Sequence, residues 1–442
     1  MKATHHARSL GKVWALPIVL LLAVLAVAVL AVACEDGEGE GIATPGVTPT
    51  VAVTGTTTPE ASPGAFGPGV TDTEIILGQH TGMTGPAAVY KMVTDAQHAY
   101  IRYVNEERGG VCGRKIVLKR YDDQGDYAKA LEVTRRLVEE DQVLALVGVI
   151  GPHDAAWEYL NEKGVPDLVV IATSDKIGAD PKGHPWTTVM VPSLYTESGN
   201  FATYIKEAHP GKTVGLLYPN TESGMDQLKG LEDFLDPSNP LVATESYEEV
   251  AVDVYSQVAR LKAAGPEVVI LSTGMPLTVQ ALKHADRLGW DPVFMATYAN
   301  ADPLLFQYAA PELLEGIITF HAFKMPEWTD DPAVAEHHRI MQKYGGPTPG
   351  IFTILSQTMM EVVVETLDRT CDNLTREGVM QANLSFDHWR SDLFYPDCYV
   401  STSETDRRFL QMGPMQQVVL EDGKPEWKAV AGPYEFKLPG EE

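Results

Sequence analysis

The sequence predicts an α/β fold of two lobes, joined by several crossings of the chain that leave a hinge and a cleft between them. Three observations carry this. Short apolar runs suited to buried strands alternate with segments of helical period. The alternation restarts after Trp186, so it makes two successive series, each about one domain long. Finally, the helical segments Ala333 to Tyr344 and Phe352 to Arg369, and a last pair of strands, Gln416 to Glu421 and Trp427 to Ala429, have no sheet of their own. They must add to lobes already built, and the chain must cross between those lobes more than once.

The first series opens with a strand, Ile75 to Leu77, that runs into the glycine-rich loop Gly78 to Pro86 and a helical stretch from Ala87 to Glu107. The glycines fit neither GxGxxG nor a Walker A loop and no Lys-Ser/Thr follows, so close backbone approach is their expected use. Gly109-Gly110 turns the chain into a strand, Lys115 to Tyr121. The carboxylates Asp122-Asp123 follow and are expected to be solvated, and Tyr127 to Glu140 carries Leu131, Thr134, Leu137 and Val138 on one helical face.

Between Asp141 and Trp186 two strand-to-loop transitions fall in one short span. Val143 to Val149 is a nearly pure apolar run, as for a strand covered on both faces, and it ends in the breakers Gly148 to Pro152. A helical segment with Trp157 and Leu160 is stopped by Gly164-Val165-Pro166, and a second strand, Leu168 to Ala172, ends in Thr173-Ser174-Asp175. Loops at the carboxyl ends of parallel strands carry the ligand site in open α/β sheets, which makes His153, Asp154, Thr173 and Ser174 candidates. A helix-capping role for Asp154 and a turn role for Thr173 and Ser174 stay open as alternatives. In the second series, strands Thr188 to Val191, Thr213 to Tyr218, Val268 to Leu271, Pro292 to Ala296 and Gly316 to Phe320 alternate with helices Thr196 to Ala208, Gly224 to Leu235 and Leu277 to Leu288.

At 442 residues and 44% hydrophobic composition the chain can bury more than one core. Its formal charge of −26, with no cluster of Lys and Arg after residue 12 beyond short pairs, excludes a nucleic-acid partner. Lys2, Arg8 and Lys12 precede an uncharged apolar run from Val13 to Ala33, and Ala31-Val32-Ala33-Cys34 looks like a bacterial lipobox, with Ala31 where Leu is preferred. Residues 1–33 are therefore expected as a signal peptide and Cys34 as the lipid-bearing residue; an uncleaved membrane span is the alternative. Residues 34–69, rich in Gly, Thr, Pro, Ala and Glu, read as a disordered tether. In an oxidising compartment Cys371 and Cys398, nearest in sequence, are expected to pair and leave Cys112 as a buried, inert thiol. No GxSxG, HExxH, CxxC or EF-hand spacing occurs, and the adjacent His337 and His338 are expected at the surface rather than on a metal. A binder, not an enzyme, without cofactor or metal, is the expectation.

Thr84-Gly85-Pro86-Ala87, Val104-Asn105-Glu106, Gly109-Gly110, Gly113-Arg114-Lys115, Tyr121-Asp122-Asp123, Arg136-Leu137-Val138-Glu139 and Leu160 to Pro166 together resemble the type I periplasmic solute-binding proteins of ABC transporters, in the branched-chain amino acid and amide group. Asp180-Pro181 and Pro185-Trp186 resemble a subgroup associated with aromatic acids as well as amino acids. The resemblance implies two Rossmann-like lobes: 70–190 plus about 321–408, and 191–320 plus about 409–442. It implies ligand contacts at Thr84, Tyr90, Ala172 and Thr173. His153, Asp154 and Ala155 stand where the family supplies a serine for the ligand carboxylate. Ser223 and Met275 stand near family tyrosines, and Tyr298 near the acid that pairs a ligand ammonium. A buried ammonium without a charge partner costs several kcal/mol. Either Asp154 replaces that partner or the ligand has no ammonium. With Tyr90, Tyr195, Met275 and Tyr298 as walls, the expected ligand is a small apolar or aromatic organic compound, an acid included, ahead of a plain amino acid. The implied protein is a monomer outside the cytoplasm, anchored to the cell membrane by lipidated Cys34, that hands its solute to an ABC permease. A sensory ectodomain with the same lobes is the rival; the lack of a second membrane segment or a cytoplasmic domain is read against it.

Overall fold

The computed structural model describes residues 66–151 and 153–437. The signal peptide, Cys34 and nearly all of the expected tether lie outside the described residues. Residues 66–69, assigned to the tether from sequence, lie against the first lobe: Arg114 covers the Phe66 ring and the Gly67 N–H donates to Leu374 O at 2.8 Å.

The first lobe is built from β1 (Glu74–Thr81), α1 (Lys91–Glu107), β2 (Lys115–Asp122), α2 (Tyr127–Glu139), β3 (Ala145–Val147), α3 (Trp157–Lys163), β4 (Asp167–Val170), α4 (Lys176–Ala179) and β5 (Thr187–Val189). Its five strands are parallel in the order β2-β1-β3-β4-β5. Every residue of β3 and β4 is buried, as strands covered by helices on both faces require. Helix α3 ends where Gly164 takes the left-handed conformation (φ 61°) and its N–H closes on Asn161 and Leu160, a geometry with little strain only for glycine.

The chain then builds α5 (Leu194–Ala208), β6 (Val214–Pro219), α6 (Glu222–Phe234), β7 (Leu241–Tyr247), α7 (Tyr255–Ala264), β8 (Val268–Leu271), α8 (Met275–Arg287), β9 (Val293–Ala296), α9 (Pro311–Leu314) and β10 (Ile318–Phe320). It continues through α10 (Pro332–Tyr344), α11 (Ile351–Asp368) and α12 (Arg376–Asn383) to the hairpin β11 (Met412–Glu421) and β12 (Lys424–Glu435). The second sheet runs β12-β11-β10-β9-β8-β6-β7, parallel from β7 to β10, with β11 and β12 antiparallel at one edge. The sequence pattern misses β7 and α7. β7 is an edge strand whose residues alternate half-buried and exposed, so it presents no apolar run.

Helices α10 and α11, which lack a sheet of their own, return to the first lobe. Arg102 of α1 donates to Tyr344 O, Arg339 makes a two-pronged pair with Glu107 at 2.8 and 3.0 Å, and Gln97 reaches Met359 Sδ. Helix α11 is buried along almost its whole length, consistent with its place between elements of the core. His337 is buried rather than at the surface: its ring bonds Gln357 and Thr353 of α11, while His338 reaches Pro326 O. Two crossings lie side by side, since Val189 N–H donates to Arg407 O and Phe409 N–H to Val189 O. A third, after β10, is held where Tyr395 N–H meets Ala322 O.

The disulfide differs from the expected one. Cys112 is bonded to Cys371, and Cys398 is a buried free thiol whose pKa burial pushes up to about 12. Cys112 lies in the reverse turn between α1 and β2, and Cys371 lies just past the end of α11. Because α1 and α11 pack together, turn and helix end meet across 259 residues of sequence. Nearness along the chain misled because the segment with Cys398 is folded into the core.

Candidate functional site

The loops at the carboxyl ends of the parallel strands hold most of the sequence-predicted site residues. After β1, Thr84 is exposed, and its hydroxyl donates to Asp122 Oδ2 at 2.6 Å. Met83 and Thr84 N–H groups donate to Asp122 Oδ1. Burial opposes ionisation of Asp122, but the Thr84 hydroxyl and the N–H groups of Gln124, Met83 and Thr84 outweigh it and hold the carboxyl below its ordinary value. Thus Asp122 clamps the loop and takes up the Thr84 hydroxyl. Its neighbour Asp123 is fully buried, bonded to His80 Nδ1 at 2.7 Å and to Gly125 N–H, while His80 Nε2 lies 3.2 Å from the Thr134 hydroxyl. The expected solvated pair is therefore two structural anchors.

His153 turns inward. Its Nε2 lies 3.1 Å from Asp167 Oδ2 at the start of β4, and both side chains are buried. Burial pushes the Asp167 carboxyl up to about 7, opposed by the charge of His80. The side chain of Asp154 lies outside the described part. Beyond β4, Ala172 is half-buried and Thr173 exposed. The Thr173 carbonyl accepts the Leu194 N–H at 2.9 Å, and its hydroxyl has no partner among the described residues.

On the second lobe, Ser223 sits in the first turn of α6, 3.3 Å from the hydroxyl of Thr221, the capping residue. Met275 opens α8 and is buried in the main hydrophobic core. Tyr195 is not brought to the cleft: its ring packs edge-on against Phe234 and Phe436, and its hydroxyl donates to Asp233 at 2.9 Å. Tyr298, just past β9, is half-buried; burial raises its phenol pKa, with Glu197 and the phenol of Tyr90 adding to the effect. Tyr90 of the first lobe, itself exposed, is thus within electrostatic range of Tyr298 of the second. The loops behind Tyr298 are fixed by buried bonds: Thr278 to Asn300 Oδ1 at 2.7 Å, and Asn300 Nδ2 to Thr273 O at 2.8 Å.

The sequence reading misses Glu197. This carboxyl is wholly buried; Oε1 accepts the Tyr298 N–H at 2.7 Å and Oε2 accepts from Gln227 at 3.3 Å. Burial pushes it up to about 8 against those two bonds. An acid in the first turn of a helix is ordinary, so the sequence of 196–208 carries no signal that sets Glu197 apart. Asp175, Asp226 and Arg408 are also missed, because their partners come from three separate parts of the chain. A cavity of about 620 Å3 lies beside the starts of β9 and β10, lined by Trp290, Phe294 and Glu312 among others; none of the candidate residues borders it.

Comparison with known proteins agrees with this architecture. The family described as periplasmic binding protein matches residues 74–424. A Leu/Ile/Val-binding protein homolog 7 of Brucella suis biovar 1 (strain 1330) is 28% identical over 197 residues, 42% of this chain and 48% of that protein. The chain thus spans about half the length of the curated relatives it matches. Among solved structures, a fatty acid ABC transporter substrate-binding protein from Thermomonospora curvata superposes with TM-score 0.68 at 22% identity, covering 84% of this chain and 95% of that one. A solute-binding protein of an ABC transporter from Rhodopseudomonas palustris BisB5, in complex with 3,4-dihydroxy benzoic acid, superposes with TM-score 0.69 at 18% identity, covering 84% and 99%. With the family match running through both sheets and the crossings between them, the chain belongs to the periplasmic binding protein family, in its type I, branched-chain amino acid group.

Proposed function

We propose that the chain is the extracytoplasmic solute-binding component of an ABC importer. It captures a small organic acid, aromatic or aliphatic, in the cleft and delivers it to a permease. In this reading the lobes comprise 70–190 with about 321–408, and 191–320 with about 409–442, and lipidated Cys34 anchors the protein to the cell membrane. The ligand meets Thr173 and the Tyr90 loop from the first lobe and Tyr298 from the second. Closure then follows from differential contact: a solute touching both lobes favours the closed state by what it gains there.

One observation carries the choice of an acid over an amino acid. Glu197, the carboxyl bonded to Tyr298, is fully buried, and its two oxygens are taken by Tyr298 N–H and Gln227, so it offers no charge to a ligand ammonium. An ammonium placed at Tyr298 would be desolvated without a partner, at a cost of several kcal/mol. The Thr173 hydroxyl is available to a carboxylate oxygen. Thermal-shift screening followed by calorimetry, with benzoates, fatty acids, branched-chain amino acids and amides, tests the reading. A carboxylic acid without an ammonium should bind, and Thr173→Ala should cost about 1 to 3 kcal/mol of that affinity. Tighter binding of leucine or valine than of any such acid overturns it.

A further inference from the structure

Residues 173–175 tie the candidate ligand loop to both the hinge and the second lobe. The Thr173 carbonyl accepts the N–H of Leu194, the first residue of α5. The Asp175 carboxyl accepts the hydroxyl of Ser193 at 2.7 Å, and Ser193 in turn caps α5 through the Thr196 N–H. Arg408, buried in the neighbouring crossing, brings its Nε to 3.6 Å from Asp175 Oδ1 and donates through Nη2 to Gly178 O. These bonds come from the crossings and travel with the hinge. A different contact comes from the body of the second lobe: the Asp175 N–H donates to Oδ2 of Asp226, on α6, at 2.7 Å.

We propose that Asp226 is an interlobe latch, whose carboxylate, by holding the Asp175 N–H, sets the closed fraction of the protein and positions Thr173 for the ligand. Four features fit the role. The bond crosses from one lobe to the other. Its acceptor is a half-buried carboxylate on a helix surface, and its donor is the main chain of a loop otherwise fixed to the hinge. A charge-assisted bond of this kind is among the stronger hydrogen bonds, yet it breaks without exposing core when the lobes part. It also places two carboxylates near each other: burial first, and after it Asp226 and Asp406, oppose ionisation of Asp175, while Arg408 and Ser193 favour it. Arg408 is what allows Asp226 to approach: without a cation beneath Asp175, the two acids would repel.

The affinity half of this proposal rests on the cleft reading above; the latch itself does not, because it can be read without ligand. Spin labels at Glu162→Cys in the first lobe and Val252→Cys in the second, both exposed, report the interlobe distance in the full chain. In the ligand-free protein, Asp226→Ala should shift the population toward longer distances, on the order of ten-fold in the closed-to-open ratio. Asp226→Asn, whose amide oxygen still accepts the Asp175 N–H, should retain most of the short-distance population and shows that the position tolerates change. An unaltered distance distribution in Asp226→Ala, or an Asp226→Asn distribution as open as that of the alanine variant, overturns the latch. Affinity for an acid identified by the screen should weaken in Asp226→Ala by the factor lost from the closed fraction. An affinity that ignores the shift overturns the positioning of Thr173 while leaving the identity of the ligand standing.

Discussion

Glu197 shows how a single buried acid governs both site and stability. Its carboxyl is pushed up to about 8 from 4.5 by burial. Below pH 4.5 both folded and unfolded chains hold the proton. Between pH 4.5 and 8 the folded chain keeps a proton that the unfolded chain has released, so stability falls as pH rises through that window. The loss approaches roughly 3 to 5 kcal/mol at its upper end. Glu197→Gln should flatten this slope and be more stable than the wild type at pH 8. Gln227 Oε1, without a partner among the described residues, can turn to accept the new amide. Urea denaturation at pH 5 and pH 8 checks it; an unchanged pH slope would show that Glu197 is ionised in the folded protein. Asp167, raised to about 7 by the same cause, should leave a residual slope in the variant.

At the scale of elements, the Cys112–Cys371 bond joins the turn after α1 to the end of α11 and so closes a loop that contains the whole second sheet up to β10. A cross-link spanning 259 residues limits the unfolded chain strongly. Cys112→Ser with Cys371→Ser should lower unfolding free energy by about 2 to 5 kcal/mol, whereas Cys398→Ser should leave the covalent link intact. Non-reducing peptide mapping together with denaturation midpoints decides between the pairings: a linked peptide containing Cys398 would restore the pairing expected from sequence. Helix α1 also meets α10 through the Glu107 cluster, in which hydrogen bonds from Arg339, Lys343 and Tyr344 hold the Glu107 carboxyl down to about 2. That cluster is exposed, so it fixes where α10 lies more than it adds to stability.

For the whole molecule, the importer role proposed above requires that the two lobes move and that the protein stay near a permease. Three crossings, two of them paired through Val189, Arg407 and Phe409, restrict that motion to bending about one region. The proposed anchor rests on Cys34, outside the described residues, and on the basic and apolar residues that precede it in the sequence. Mass spectrometry of the membrane fraction should find a lipid adduct on an N-terminal Cys34; a mature protein that begins at Met1 would exclude lipidation there.

The alternation of apolar runs and helical stretches determined the α/β class and most of the parallel strands with the loops at their carboxyl ends, because buried parallel strands and amphipathic helices leave periods that are local in sequence; it did not show that the strand at Thr188, expected to open the second series, pairs with β4 in the first sheet. Thr173 is a candidate for the same reason, since it lies in the loop after a strand, whereas Tyr298 is a candidate only through the family resemblance. Other features depended on distant parts of the chain meeting, and no period records such meetings. An acid on the buried face of α5 meets a loop one hundred and one residues later, as Glu197 does Tyr298. His153 occupies a ligand-loop position in sequence but turns to Asp167, and Tyr195 spends its ring on Phe234. Cys112 finds Cys371 only because α11 returns to α1, and Asp175 finds Asp226 only because the lobes face each other. Local propensity chose the elements; the packing of helices and lobes chose the partners of each polar side chain, since a buried polar group must take whatever donor or acceptor the tertiary fold brings within reach.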